Sequence, residues 1–141
     1  MALIADSGGV YSLYDRGDAH HDRARRAARR HAGAIIVPMA VLAEIGYLLA
    51  RFLGARAELG FLEDMIEGVY LLEPVAASDL PRCRQLLRQY ADLKLGITDT
   101  CVIACAERLS VYDILTVDER HFRAVRTADG RRFRLLPADL L

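Results

Sequence analysis

The sequence predicts an α/β protein, a three-layer α/β/α sandwich around a mostly parallel central sheet. Two observations predict it. Five short apolar runs, at residues 2–5 (ALIA), 34–37 (AIIV), 69–72 (VYLL), 114–117 (ILTV) and 133–136 (FRLL), have strand length, and longer stretches of helical periodicity separate most of them. In addition, 53% of the 141 residues are apolar, enough for the sizeable core of one domain spanning residues 1–141.

The elements follow in chain order. The first run ends on Asp6, and Ser7, Gly8 and Gly9 after it predict a tight loop. Residues 20–31 predict a surface helix with Ala24, Ala27 and Ala28 as a narrow small-residue stripe among arginines. After AIIV, Pro38 is placed to start a helix, in which Val41, Leu42, Ile45, Leu48, Leu49 and Phe52 recur at helical spacing until Gly54. A helix over about 56–67 is bounded by Gly68, and another over about 78–91 begins at Ser78 and turns Leu80, Leu86 and Leu87 inward. Residues 98–109, TDTCVIACAERL, predict a helix capped by Thr98, with Val102, Ile103, Ala106 and Leu109 on its buried face.

Nineteen basic and nineteen acidic residues cancel, so net charge gives no sign of a nucleic-acid partner. The distribution is more informative: six arginines fall within residues 16–30 and six more within 120–134. Each cluster reads equally as a solvated face or as a surface for phosphates. Cys83, Cys101 and Cys105 form no CxxC pair, which predicts reduced, buried thiols. No segment reaches the roughly 18 apolar residues of a membrane span, and the N-terminus lacks signal-peptide order, so the expectation is a soluble cytoplasmic protein.

Four acids stand at awkward places. Asp6 ends the first apolar run, and Asp118 ends ILTV in the same way. Glu44 borders the apolar stripe of the helix after Pro38, and Asp99 opens a helix after LGIT. Each has an ordinary reading: a turn for Asp6, a turn or cap for Asp118, a stripe-edge residue for Glu44, and a first-turn acid favoured by the helix dipole for Asp99. The predicted architecture offers another, because open α/β sheets place ligands outside the carboxyl ends of their strands. Four carboxylates gathered there would repel by roughly 4 kcal/mol per pair about 4 Å apart, so they need protons or cations. All-oxygen donors select hard ions, Mg²⁺ or Mn²⁺, over zinc. His20, His21, His31 and His121 have no zinc-ligand spacing, and no G-x-S-x-G elbow is present. An aspartyl phosphatase is disfavoured because Gly8 stands where its second acid belongs.

ADSGG at the N-terminus, VLAEIGYLL around Glu44, YADLKLGITDTCVIACAERL around Asp99 and ILTVDERHF around Asp118 resemble the four acidic motifs of PIN domains, especially the VapC toxins of bacterial toxin–antitoxin pairs. The resemblance covers nearly the whole chain. It implies a PIN-like fold and an Mg²⁺- or Mn²⁺-dependent endoribonuclease that cuts single-stranded regions of structured RNA, such as tRNA or rRNA. It also implies a cognate antitoxin that holds the enzyme inactive, seated in a groove suggested by the apolar excess of GYLLARFL and GFLEDMI, and a homodimer. Asp6, Glu44, Asp99 and Asp118 match the family's acids as metal ligands, Asp6 and Asp99 foremost, and Thr116 matches its usual Ser or Thr. Asp92 is a further nearby acid. Gly9 departs from residues common in relatives, which touches the shape of the loop and not its ligands. The alternative is a non-catalytic RNA- or protein-binding module on the same fold, and the presence of all four acids counts against it.

Overall fold

A computed structural model of the chain describes residues 2–31 and 33–140. Five strands, β1 (Leu3–Ala5), β2 (Ile35–Pro38), β3 (Tyr70–Glu73), β4 (Asp113–Leu115) and β5 (Arg134–Leu136), form one sheet in the order β3-β2-β1-β4-β5. Every pairing is parallel, with Leu3 opposite Ile35, Ile4 opposite Ile114, and Leu115 opposite Leu136. All three residues of both β1 and β4 are buried, as expected where helices cover both faces of a parallel sheet.

The helices are α1 (Ser7–Tyr14), α2 (His21–Arg30), α3 (Leu42–Phe52), α4 (Ala55–Ile66), α5 (Leu80–Gln89), α6 (Ile97–Leu109) and α7 (Glu119–Ala124). Packing of α1 on α2 and α3, and of α3 on α4, makes one group; α5 packs on α6. In α2, Ala24 and Ala27 are fully buried while Arg25, Arg26 and Arg29 face water. Alanine at these positions lets the helix lie close to its neighbours. The six residues of α7 are too few to hold a helix alone. It is anchored by Phe122, which is fully buried and contributes about 1.5–3 kcal/mol, and by an Asp118 cap. The three cysteines are free and buried, with Cys83, Cys101 and Ala104 in a small cluster beside the main core.

Several local expectations are corrected. ADSGG is no loop: Asp6 is the N-cap of α1, so helix begins at Ser7 directly after the strand. Pro38 closes β2 instead of opening a helix, and a 3₁₀ turn over Met39–Val41 intervenes before α3. The N-cap of α6 is Gly96, two residues earlier than Thr98, which lies within the helix. Leu80 is exposed because α5 starts there after the 3₁₀ turn Ala77–Asp79, and Phe52, at the last turn of α3, is exposed as well.

Sheet order sets the position of the site. From β1 the chain moves outward through β2 and β3, then returns to place β4 on the other side of β1. The adjacent β1 and β4 therefore form the switch point where the sheet order reverses, and the crevice beyond their carboxyl ends is the place for a ligand in such sheets.

Candidate active site

Two strand ends build the centre of the site. Asp6 follows β1, and its backbone N–H donates to the Leu115 carbonyl at 3.1 Å, continuing the ladder one residue past the strand. The Asp6 carboxylate then serves two structures at once. Its Oδ1 accepts from the Gly9 N–H at 2.7 Å, capping α1, and its Oδ2 accepts from the Thr116 hydroxyl at 2.5 Å. Thr116 follows β4 and is buried, and its Oγ1 also accepts the Asp118 N–H at 3.0 Å. The turn and ligand readings of Asp6 and Asp118 are therefore compatible, since Asp118 caps α7 by accepting the His121 N–H at 3.3 Å.

Asp99 comes from a third direction. As the third residue of α6, it accepts a 3.4 Å bond from the Gly96 N–H, the usual arrangement of a first-turn acid. His121 connects it to Asp118: the ring Nδ1 lies 3.4 Å from Asp99 Oδ2 and 3.0 Å from Asp118 Oδ2. Glu44 is exposed on α3 rather than set against the apolar stripe, and its Oε1 accepts the Ser7 hydroxyl at 2.8 Å. Asp92 stands exposed in the 3₁₀ turn Ala91–Leu93 and shares no hydrogen bond or ion pair with the other acids among the described residues. Gly9 touches the site directly through its N–H to Asp6, so this residue bears on the Asp6 carboxylate as well as on the shape of the backbone.

Electrostatics follow from burial. Asp6 is only 8% exposed, and burial pushes its carboxyl from 3.8 up to about 7, against the lowering effect of its bonds from Thr116 and Gly9. The charges of Asp99 and Asp118 raise it further. Burial also raises Asp99; the Gly96 bond and His121 oppose this, and Asp118 and Glu44 reinforce it. Asp6 thus feels the charges of Asp99 and Asp118, and Asp99 those of Asp118 and Glu44. No ion pair among the described residues involves Asp6, so its charge has no resident counterion. Around it the acids become progressively wetter, with Asp99 and Asp118 half-buried and Glu44 exposed. The site opens from a dry floor to solvent.

The donor set suits a hard divalent cation: carboxylate and hydroxyl oxygens dominate and no thiolate is present. Among the described residues no group of three His, Cys, Asp or Glu side chains stands ready to surround a metal by itself. Two neighbours escaped the sequence reading. Ser7 was visible only as part of a turn, and its bond to Glu44 depends on α1 packing against α3. His121 lies three residues after Asp118 in a segment that could form a helix, and that spacing was the available signal.

Comparison with known proteins gives three related results. The PIN domain family matches residues 3–128. Ribonuclease VapC26 of Mycobacterium tuberculosis is 30% identical over 135 residues, covering 96% of this chain and all of that protein. Among solved structures, Mycobacterium tuberculosis VapC20, a toxin that cleaves the sarcin–ricin loop, superposes with a TM-score of 0.76 at 21% identity, covering 84% of this chain and 92% of its own. VapBC2 of Rickettsia felis, bound to a DNA fragment from its promoter, superposes with a TM-score of 0.64 at 16% identity over 96% of this chain and 97% of its own. These two structures share the fold.

Proposed function

The chain belongs to the PIN domain family, and from that membership we propose that it is a divalent-metal-dependent endoribonuclease, the toxin of a toxin–antitoxin pair. The observation that carries this reading is the uncompensated carboxylate of Asp6 at the β1/β4 switch point, with Asp99, Asp118 and Glu44 acting on the same space. Asp6 and Asp99 would hold Mg²⁺ or Mn²⁺ directly, and Asp118 and Glu44 would complete the site through water or a second ion. A bound ion of this kind supplies an acidified water nucleophile and neutralises charge on the phosphodiester oxygens.

The protein's own groups do the positioning. Thr116 fixes one oxygen of Asp6 and the Gly9 N–H fixes the other, so the carboxylate cannot rotate away from the crevice. Ser7 draws the exposed Glu44 side chain toward the floor of the site. The half-buried acids above Asp6 leave the site open to a polymer rather than to a small enclosed substrate, which suits an internal phosphodiester of an unpaired RNA segment. Exposed Arg25, Arg26 and Arg29 offer charge for the RNA backbone.

An antitoxin partner accords with the exposed apolar side chains of α3 and α4, among them Tyr47, Phe52, Leu59, Leu62 and Ile66. These belong to helices that pack on each other, and an apolar surface of that kind marks a protein-binding face. Among the described residues no helix is long and apolar enough to cross a membrane.

Cleavage of labelled structured RNA tests the catalytic reading. The wild-type chain should cut with Mg²⁺ or Mn²⁺ and stop with EDTA. Asp6→Asn and Asp99→Asn should each lower the rate at least about a hundredfold while circular dichroism stays native. If both variants cut at the normal rate, the metal-site assignment fails.

A further inference from the structure

His121 has an unusual place. Its Nδ1 is buried and lies 3.0 Å from Asp118 Oδ2 and 3.4 Å from Asp99 Oδ2, yet neither oxygen is aligned for a proper hydrogen bond. Ionised carboxylates only accept, so the nitrogen facing them must carry the hydrogen. The ring nitrogen therefore acts on both acids by close electrostatic contact rather than through an aligned hydrogen bond, one acid on α6 and the other at the cap of α7. The Asp99 contact joins α6 to α7, whereas the Asp118 contact ties His121 to the cap of its own helix. We propose that His121 is a positioning residue, which holds the carboxylates of Asp99 and Asp118 at a fixed separation and so sets the affinity of the site for its divalent ion. The proposal rests on the metal-site reading above.

Three features make His121 a rigid strut. Its own backbone N–H binds Asp118 Oδ1, so the residue grips both oxygens of that carboxylate. Phe122, next to it, is fully buried and fixes α7 against the core. On the other side Asp99 Oδ2 accepts from the Gly96 N–H and lies against the ring nitrogen, so the imidazole sits between two carboxylates that are each tied to their own helix start. Without the imidazole, nothing of opposite or neutral character among the described residues would stand between the two carboxylates, and like charges would drive them apart. Bringing them back together would then cost binding free energy each time an ion enters. Groups that orient metal ligands from behind change metal affinity by about 10–100-fold when removed.

The test is a Mn²⁺ titration of the full chain, followed by the loss of the free-ion electron paramagnetic resonance signal, with metal-free melting temperatures measured in parallel. His121→Leu keeps bulk and removes the donor; His121→Asn returns an N–H to the position of Nδ1, whereas His121→Gln places its amide nitrogen at the position of Nε2. The expected result is about tenfold or weaker binding for His121→Leu and His121→Gln, with binding near wild type for His121→Asn. Wild-type affinity in His121→Leu, or a His121→Asn as weak as His121→Gln, overturns the proposal. So does nitrogen hyperfine coupling from this ring in the Mn²⁺ spectrum, which would make it a direct ligand. Should His121→Leu fail to fold, the Asn and Gln pair decides alone. Undiminished Mn²⁺ binding by Asp99→Asn is a different failure: it overturns the metal-site reading itself, and the proposal with it.

Discussion

Asp6 shows how one residue can satisfy two roles that compete on paper. A strand-ending Asp before Ser-Gly-Gly reads as punctuation or as chemistry; here one oxygen caps α1 and the other meets Thr116 beside the remaining acids. The pH consequence can be signed. The folded-state carboxyl lies near 7 against 3.8 in an ordinary environment, chiefly through burial. Between these values the folded protein binds a proton that the unfolded chain has lost. This contribution to stability is therefore fully present below about pH 4 and is lost as pH rises toward 7. Metal-free protein in EDTA should unfold at lower urea near pH 8 than near pH 5, by an amount on the order of a few kcal/mol. Asp6→Asn should flatten that difference, and a variant that keeps the full pH slope would assign it to other groups. Asp6 and Asp118 stood out as candidates because each ends an apolar run, and Glu44 and Asp99 because they sit at a stripe edge and a helix start within motifs that resemble a family's. For His121 the chain offers only its three-residue spacing from Asp118; nothing local marks Asp99 as its second neighbour.

At the scale of the element, α1 depends on glycine for a steric reason. A Cβ on Gly9 would stand 2.1 Å from the Leu115 carbonyl oxygen and 3.1 Å from Asp6 Oδ1, so the helix can start against the end of β4 only because that atom is missing. Gly60, within α4, has open space around its Cβ direction. The two sites should respond in opposite senses. Gly9→Ala should destabilise by about 3 kcal/mol or more, beyond any gain in helix propensity, and should weaken Mn²⁺ binding by displacing Asp6. Gly60→Ala should stabilise by about 0.5–1 kcal/mol. Urea melts of both variants check the pair, and equal signs would contradict the geometry. The difference was invisible in the chain, where Gly8 and Gly9 looked like loop residues. A helix beginning with two glycines runs against propensity, and the Asp6 cap together with packing of α1 on α2 and α3 overrides it. The periodic segments α3, α4 and α6 were legible within a few residues because their apolar spacing is local.

For the whole molecule, the exposed apolar side chains of α3 and α4 are the face where the proposed toxin reading puts the antitoxin. Ile66, 84% exposed at the end of α4, contributes little to the core and is therefore a clean probe. Ile66→Asp should weaken binding of the cognate antitoxin by about tenfold, a loss typical of a buried interface anchor, while leaving RNA cleavage and melting temperature unchanged. Unaltered antitoxin affinity would move the interface elsewhere. By itself the sequence determined the alternation of strand and helix, the parallel sheet that such alternation requires, and the set of acids out of place, because spacing and residue type are properties of neighbouring positions along the chain. Tertiary structure alone decided that β4 lies beside β1, that Ser7 reaches Glu44, that His121 stands between Asp99 and Asp118, and that Asp6 lies in a dry floor with no counterion among the described residues. The physical reason is that burial and electrostatic coupling act over a few ångströms of space, and residues 6, 44, 99, 116, 118 and 121 come within that range only when the sheet order brings their elements to one edge.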